Sequence, residues 1–173
     1  MNYFLREIEK NDLHIINQWR NDKELIDLLG NNFIYIAGEV DEAWYGNYLR
    51  NRDTAVRPAI TDRGQSDLLI GTVQLTGIHP INRSAEFSIM IGNKSYWSKG
   101  AGLFSTKAIL EHGFRNLNLN RIFLTVIDSN HRAIRMYEKA GFKREGVMRE
   151  AIFKNGVFVN TIIMSILKCE AGL

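Results

Sequence analysis

The sequence predicts an α/β (α+β) domain in which a mixed, mostly antiparallel central sheet is flanked by helices. Three observations carry this prediction: helix-like amphipathic runs fill most of the first fifty residues, strand-like runs separated by turn residues follow, and one later helix-like run lies between two strand-like runs. With 173 residues, 45% of them apolar, the chain is long enough to bury a sizeable core. We therefore expect one domain over residues 1–173.

The first fifty residues predict a strand and three helices. Leu13, Ile16 and Trp19 recur at helical spacing, which indicates one buried face, and Gly30 follows the second helix as a stop signal. The predicted elements are a strand over residues 3–8, helices over 12–19, 22–29 and 41–50, and an apolar stretch at 33–37 of no assigned type.

The remaining strands are indicated by turn residues. Residues 62–67 separate two strand-like runs as a hairpin turn would, and Asn155-Gly156 is a strong short-range hairpin signal. The near-continuous apolar run at 121–127 suits a strand that is buried on both faces. The predicted strands are 54–61, 68–75, 84–91, 121–127, 142–153 and 157–167, and helices are predicted at 103–114 and after a cap at 128–130.

A glycine-bearing turn at residues 97–103 lies between the strand at 84–91 and the helix at 103–114. Because Gly100 and Gly102 lack a Cβ, their backbone can adopt positive φ and approach a ligand closely. The first N–H groups of the helix have no intrahelical partner, and the helix dipole is positive there. The turn is therefore a candidate site for phosphate or diphosphate, and the alternative is a plain strand-to-helix connection.

Composition argues against several classes of protein. The net charge of +3 is dispersed without a basic run, so we expect no nucleic-acid partner. The four histidines and single cysteine show no metal-ligand spacing, and we expect no metal. No apolar run approaches about 20 residues and the first residues are charged, which predicts neither a membrane span nor a signal peptide. The lone cysteine fits a reducing compartment, so we expect a cytoplasmic protein.

The order of elements and three separated motifs resemble the GNAT superfamily of acetyl-CoA-dependent N-acetyltransferases. The family's cofactor motif, [QR]-x-x-G-x-[GA], falls on residues 97–102 with Trp97 in place of the usual Gln or Arg, a departure that removes one polar contact. Residues 82–91 and 130–142 look like the branch of ribosomal-protein-alanine and spermidine N-acetyltransferases, as does the hairpin around Asn155-Gly156. The resemblance covers nearly the whole chain and implies the single-domain GNAT (acyl-CoA N-acyltransferase) fold.

The resemblance implies acetyl-CoA as co-substrate and direct attack by a primary amine in a ternary complex. Main-chain N–H groups of the glycine turn would hold the diphosphate, and a backbone N–H of the fourth predicted strand would polarise the acetyl carbonyl. Asn130 either contacts the cofactor or caps the following helix. The implied cofactor-binding residues are Ile89, Met90, Ile91, Ser98, Lys99, Gly100, Ala101, Gly102, Leu103 and Asn130.

Two residues are candidates for proton transfer. Tyr137 occupies the motif position of the proposed general acid, and a phenol with a pKa of about 10 stays protonated at neutral pH and can donate to a departing thiolate. Glu86 is the candidate base, because an alkylamine is almost wholly protonated at pH 7 and needs a proton acceptor. His79 and Glu42 are lesser candidates for the base. Each of these side chains has an ordinary structural explanation as an alternative.

The acceptor amine is left open by the sequence. The candidates are a protein N-terminus or a small-molecule amine, with a polyamine such as spermidine or an amino sugar as alternatives, and a catalytically idle acetyl-CoA-binding module as a different class. Spermidine acetyltransferases look acidic after the second helix, whereas residues 28–35 are uncharged here. The aromatic side chains Trp44, Tyr45 and Tyr48 either pack the core or line a substrate cleft. Because members of this branch are often dimers, the resemblance also implies a homodimer.

Overall fold

The computed structural model describes residues 2–172 and contains one eight-stranded mixed sheet. Its strands run in the order β1-β3-β4-β5-β6-β8-β7, with β2 paired to β4, and every pairing is antiparallel except that of β5 with β6. The predicted fold class is confirmed. The strands are β1 (Tyr3–Glu7), β2 (Ala55–Val56), β3 (Pro58–Asp62), β4 (Leu68–His79), β5 (Ser84–Met90), β6 (Arg121–Ile127), β7 (Lys143–Lys154) and β8 (Val157–Leu167).

Five α-helices cover the two faces of the sheet. Two hydrophobic clusters lie against the sheet: one contains Ile109 and Ile134 with inward residues of β3, β4, β5, β6 and β8, and the other contains Ile16 and Tyr48 with Ala59. The prediction that β6 is buried on both faces is wrong, because its inward residues join the first cluster while Thr125, on the opposite face, is exposed. The helices are α1 (Leu13–Arg20), α2 (Lys23–Asp27), α3 (Gly38–Arg50), α4 (Ala101–Glu111) and α5 (His131–Ala140).

Helices α1 and α3 are joined to each other and to the sheet by buried contacts. Asp41 is 1% exposed, accepts a hydrogen bond from Asn17 Nδ2 at 2.6 Å and pairs with Arg20. The Trp19 ring lies so close to Gly92 that a Cβ on this glycine would be 1.9 Å from it. Only glycine fits there, and this contact fixes α1 beside the end of β5.

The predicted strand at 54–61 is wrong in one respect, because Arg57 divides it into β2 and β3. The proline that follows has no N–H to donate to a ladder, which accounts for a break at this point. The flanking pairs, Val56 with Leu75 and Ala59 with Thr72, keep a common register that places Arg57 opposite Gln74. Arg57 therefore stays on the sheet surface while its backbone leaves the ladder.

Strands β5 and β6 pair only over their first residues. The pairing ends at Glu86 with Phe123, although both strands continue beyond it. The helix predicted at 103–114 begins at Ala101 and ends at Glu111, with a π-helical turn at His112–Asn116. The Asn155-Gly156 hairpin is confirmed, since both residues have positive φ, 50° and 85°, as a type I′ turn demands.

Candidate active site

A cleft of about 890 Å³ opens where β5 and β6 diverge. One wall is formed by the glycine turn, the start of α4 and helix α5, and the other by α1, α2 and residues 28–36. The floor is the surface of β4 and β5. The cleft therefore lies between the predicted cofactor turn and the helices and loop of the first part of the chain.

The glycine turn presents unpaired main-chain N–H groups at the start of α4. Gly100 is the N-cap residue with φ of 89°, and no side chain caps the helix. Gly102 does not use the positive φ that glycine permits, because it lies within the helix, and the second positive φ in the turn belongs to Ser98, at 60°. Gly100 is thus the position at which the turn requires glycine.

The predicted turn residues divide into two groups. Ser98, Gly100, Gly102 and Leu103 line the cleft, whereas Lys99 and Ala101 do not. The carbonyl of Lys99 accepts a hydrogen bond from the Tyr3 hydroxyl at 2.7 Å, and Ala101 is 1% exposed in the core. Ala101 anchors the first turn of α4, so its contribution to a bound anion is limited to its main-chain N–H.

Trp97 connects three elements around the turn. Its indole N–H donates to the Ile91 carbonyl at 2.8 Å, and the Arg132 guanidinium lies 4.3 Å from the ring centroid. The sequence suggested only that a polar contact is lost at this position. The structure instead gives Trp97 a role in holding the turn against the end of β5 and against α5.

The edge of β5 that faces the divergence has no partner strand beyond Glu86. Ile89, Met90 and Ile91 all line the cleft. Peptide groups alternate between the two edges of a strand, and the Arg83 carbonyl accepts from Arg121 N–H on the β6 side. This alternation directs the peptide of Ile89 toward the gap and that of Met90 toward Thr72 of β4.

Tyr137 enters the cleft from α5 and is 7% exposed. Its ring packs edge-on against Phe87 and Phe142, with centroids 5.8 Å and 5.9 Å away. Burial raises the pKa of the phenol above its ordinary value of 10 because the charged form is poorly solvated. The hydroxyl therefore remains protonated throughout the neutral range.

Asn130 makes two structural hydrogen bonds at the edge of the cleft. Its Oδ1 accepts from Ala133 N–H at 3.1 Å and caps α5, and its Nδ2 donates to the Leu28 carbonyl at 2.9 Å. The helix-capping alternative is therefore present in the structure. Because Asn130 also lines the cleft, it ties α5 to the loop at residues 28–36 across the cleft.

Glu86 is the single carboxylate among the described residues that line the cleft. Its side chain is exposed and stands opposite Thr76 on β4. The lesser base candidates lie outside the cleft: Glu42 faces Lys10 at 3.8 Å, and His79 Nδ1 accepts from Asn82 N–H at 3.1 Å near the far end of β4. Of the three candidate bases, Glu86 is thus the one that lines the cleft.

Arg57 is a cleft residue that the sequence did not single out. It donates to Gln74 Oε1, and Gln74 Nε2 donates to Ser88 Oγ at 2.6 Å, so the three side chains form a row across the sheet. The guanidinium lies 5.3 Å from the Trp44 ring centroid and 5.8 Å from that of Tyr48. Burial lowers the pKa of Arg57 from its ordinary value. In the sequence, the feature that could have drawn attention to Arg57 is the proline that follows it and interrupts a strand-like run.

The described residues also limit other kinds of site. Between residues 2 and 172, no group of three or more His, Cys, Asp and Glu side chains is placed to hold a metal ion. No helix in the same span has both the length and the apolar composition to cross a membrane.

Comparison with known proteins identifies the family. Residues 2–143 match the acetyltransferase (GNAT) domain. The chain is 32% identical over 141 residues to a spermidine N(1)-acetyltransferase of Vibrio cholerae serotype O1, covering 82% of this chain and 79% of that protein. It is also 28% identical over 167 residues to the uncharacterized N-acetyltransferase p20 of Bacillus licheniformis, with 96% and 93% of the two chains covered.

A solved structure agrees with these relatives. The spermidine N-acetyltransferase from Vibrio cholerae, in complex with CoA and spermine, superposes with a TM-score of 0.91 at 30% identity and covers 98% of both chains. The match extends over the sheet, the glycine turn and the cleft described above. The chain therefore belongs to the GNAT acetyltransferase family and is an acetyl-CoA-dependent N-acetyltransferase.

Proposed function

We propose that this enzyme acetylates the primary amine of a small molecule by direct attack on acetyl-CoA in a ternary complex. The observation that carries the proposal is that the phenol of Tyr137 and the carboxylate of Glu86 line one cleft. Glu86 precedes Phe87, against which Tyr137 packs, so the two groups approach β5 from opposite faces of the sheet. This arrangement separates a proton acceptor from a proton donor.

Two backbone features would hold acetyl-CoA. N–H groups at residues 98–103 suit its diphosphate, because they converge at an uncapped helix N-terminus. The pantetheine arm would lie along the open edge of β5, where the peptide of Ile89 can donate to the acetyl carbonyl and stabilise negative charge on its oxygen. Ala101 would contribute its main-chain N–H alone, and Lys99 would support the turn, because its N–H donates to the Tyr96 carbonyl at 3.4 Å and its carbonyl accepts from Tyr3.

Proton transfers complete the reaction. Glu86, directly or through water, would take the proton that the ammonium group of the acceptor must lose before it attacks. Tyr137 would protonate the thiolate of CoA, a role that its raised pKa supports because the hydroxyl carries its proton at neutral pH. The second proton that the acetylated nitrogen loses would restore the phenol through water. Intact Glu86 and Tyr137 together argue against a catalytically idle binding module.

A polyamine is the second candidate acceptor. The likeness to the Vibrio cholerae protein that binds spermine supports it. The uncharged loop at 28–35 and the single carboxylate of the cleft favour another small amine. The same loop forms one side of the cleft. Because it limits the space for the acceptor, a small molecule is favoured over a protein N-terminus.

Three broader features are part of the proposal. We propose one N-acetyltransferase domain over residues 1–173, supported by a sheet whose strands extend from Tyr3 to Leu167.

We propose a homodimer formed through β7 and β8, since β7 is an edge strand and Phe153 and Phe158 are 50% and 63% exposed. We also propose a cytoplasmic location, supported by the use of acetyl-CoA and by the lone cysteine.

The experiment follows release of free CoA from acetyl-CoA with a panel of amines. Glu86→Gln should lower kcat/KM by about 100-fold at pH 7, in line with the loss of a general base. Glu42→Gln, at an exposed glutamate outside the cleft, is the matched control and should behave as wild type. Release of CoA with none of the amines, or equal activity of the two variants, would contradict the proposal.

A further inference from the structure

The charges that line the cleft are mostly positive and unequally distributed. Arg20 is neutralised by the buried Asp41. The cations on α5 stand on the wall shared with the glycine turn, where Arg132 covers Trp97, and they suit the phosphates of CoA. Arg57 remains as the uncompensated cation on the acceptor side. The basic residues in the lining are Arg20, Arg57, Arg132, Arg135 and Lys139, against one acidic residue, Glu86.

Arg57 has no carboxylate partner among residues 2–172. Its neighbour Tyr48 donates to Glu7 Oε1 at 2.6 Å, and Arg52 pairs with the other oxygen of the same carboxylate at 2.7 Å, so Glu7 is already engaged. The Nε–H of Arg57 is buried without a hydrogen-bond partner. What makes Arg57 available to a ligand is that it lines the cleft without a carboxylate partner, and a planar guanidinium matches the geometry of carboxylate and phosphate.

Arg57 and Glu86 stand on the same face of the sheet. Arg57 lies opposite Gln74 of β4, and Gln74 lies opposite Ser88 of β5, so the three side chains share one face. Glu86 is two residues before Ser88 on β5 and therefore lies on that face as well. Strands are about 4.8 Å apart and alternate residues about 7 Å apart along a strand. Two strand spacings and one such step place the Cα atoms of Arg57 and Glu86 about 12 Å apart, and the Arg57 guanidinium, which reaches Gln74, covers part of that distance. A molecule the size of an amino acid or an amino sugar fits the remainder. The cation and the carboxylate therefore frame one small binding site.

We propose that the acceptor is a primary amine that also carries an anionic group, a carboxylate or a phosphate, which Arg57 binds while Glu86 receives the proton of the amine. This inference rests on the proposed function and names its substrate class. A polyamine would place a second cation near Arg57, where no carboxylate compensates it. Trp44 and Tyr48, stacked against the guanidinium, hold it in position for the anion.

The test compares acceptors that differ in the anionic group alone. Ornithine is paired with putrescine and lysine with cadaverine for a carboxylate, and phosphoethanolamine with ethanolamine and glucosamine 6-phosphate with glucosamine for a phosphate. Spermidine is the polycation. We expect the anionic member of at least one pair to be preferred by at least 10-fold in kcat/KM, and the pair in question distinguishes carboxylate from phosphate.

Two arginine variants test whether Arg57 is the cause. Arg57→Met should reduce this preference at least 10-fold, with acetyl-CoA affinity measured by calorimetry as a check on folding. Arg57→Gln serves the same purpose if the methionine variant does not fold. Arg52→Met is the matched control, because Arg52 lies 5.5 Å from the same Tyr48 ring but outside the cleft. It should keep the preference of the wild type.

The remaining outcomes separate the two proposals. The inference would be overturned if spermidine and the amines without an anionic group were turned over as well as, or better than, their anionic counterparts. It would also be overturned if the preference for the anionic acceptor survived in Arg57→Met and Arg57→Gln. Either result would leave the acetyltransfer proposal standing. Release of CoA with none of the acceptors would overturn the proposed function and this inference with it.

Discussion

The ammonium group of Lys154 lies 2.7 Å from the carbonyl oxygen of Leu29 and joins the β7–β8 hairpin to the loop on the acceptor side. Lys154 is 8% exposed and also donates to the carbonyls of Ile26, at 2.8 Å, and Asn31, at 2.6 Å. One side chain thus satisfies three carbonyl groups, one in the last turn of α2 and two in the loop that follows it. The hairpin, remote in sequence from the loop, determines where one wall of the cleft stands.

Removal of this contact should affect the acceptor and not acetyl-CoA. Lys154→Met leaves carbonyl groups unsatisfied and should lower the free energy of unfolding by about 1–3 kcal/mol. The KM for the acceptor should rise at least 10-fold while the Kd for acetyl-CoA is unchanged. Lys143→Met, at an exposed β7 lysine paired with Glu170 and outside the cleft, is the control and should change neither constant. Equal effects of Lys154→Met on both substrates would contradict this role.

Substitution of Gly100 tests the glycine turn. An L side chain at φ of 89° costs about 1–2 kcal/mol, so Gly100→Ala should distort the turn and weaken acetyl-CoA binding about 10-fold. Gly38 begins α3, and a Cβ there meets nothing within 4 Å. Gly38→Ala should therefore bind acetyl-CoA as the wild type does. Calorimetric titration of both variants measures the difference, and unchanged binding by Gly100→Ala would remove the turn from the cofactor site.

Tyr137→Phe tests the proton donor. We expect kcat to fall by about 100-fold while the acetyl-CoA Kd is retained. Because the phenol pKa is raised above 10, ionisation of Tyr137 should not produce a decline in wild-type activity below pH 10. Tyr45→Phe, outside the cleft, is the matched control. A wild-type pH profile that falls between pH 8 and 9, and that loses this fall in Tyr137→Phe, would show that the assigned protonation state is wrong.

Acid stability should depend on an ion pair between β6 and β7. Arg121 Nη1 lies 2.6 Å from Glu145 Oε1, and Ser165 donates to the same oxygen at 2.7 Å. These contacts lower the pKa of Glu145 from 4.5 to about 2. Because the folded-state pKa is depressed, the contribution is complete above pH 4.5 and is lost as the pH falls toward 2.

The pair is partly exposed to solvent, so its contribution should be about 0.5–1 kcal/mol. Glu145→Gln should reduce stability by this amount at pH 6 and by less near pH 2, measured by urea unfolding. Glu111→Gln, which removes an exposed pair with Arg115, should show no comparable pH dependence. A pH-independent loss in Glu145→Gln would indicate that packing, and not charge, carries the contact.

The proposed dimer is tested at the hairpin. Phe158 is 63% exposed and its ring centroid lies 5.0 Å from that of Phe153. Phe158→Asp should yield monomers in sedimentation velocity if β7 and β8 form the interface. Ile81→Asp alters another exposed apolar side chain, 85% exposed, and should leave the assembly unchanged. Dissociation by both variants, or by neither, would count against this interface.

Local signals in the sequence predicted most of the fold. The apolar run at 121–127 and the Asn155-Gly156 turn match β6 and the β7–β8 hairpin because strand burial and turn chemistry are local properties. The helical conformation of Gly102 could not be predicted, because a G-x-G pattern does not say which residue leaves the helical conformation. Ser98 takes the second positive φ instead.

The acceptor side could not be predicted in the same way. Arg57, Gln74 and Ser88 meet because their strands pair in one register, and no spacing in the sequence reveals that row. Lys154 reaches Leu29 across more than a hundred residues. The cofactor side consists largely of one turn and one helix that are consecutive in the sequence, so a motif predicts it. The acceptor side depends on tertiary contacts between distant segments.

A crystal structure of the enzyme with CoA tests the central claim most directly. We predict the diphosphate within hydrogen-bond distance of the main-chain N–H groups at the start of α4, and the sulfur within hydrogen-bond distance of the Tyr137 hydroxyl. Density for CoA that leaves the glycine turn empty, or that places its sulfur out of reach of Tyr137, would contradict the account.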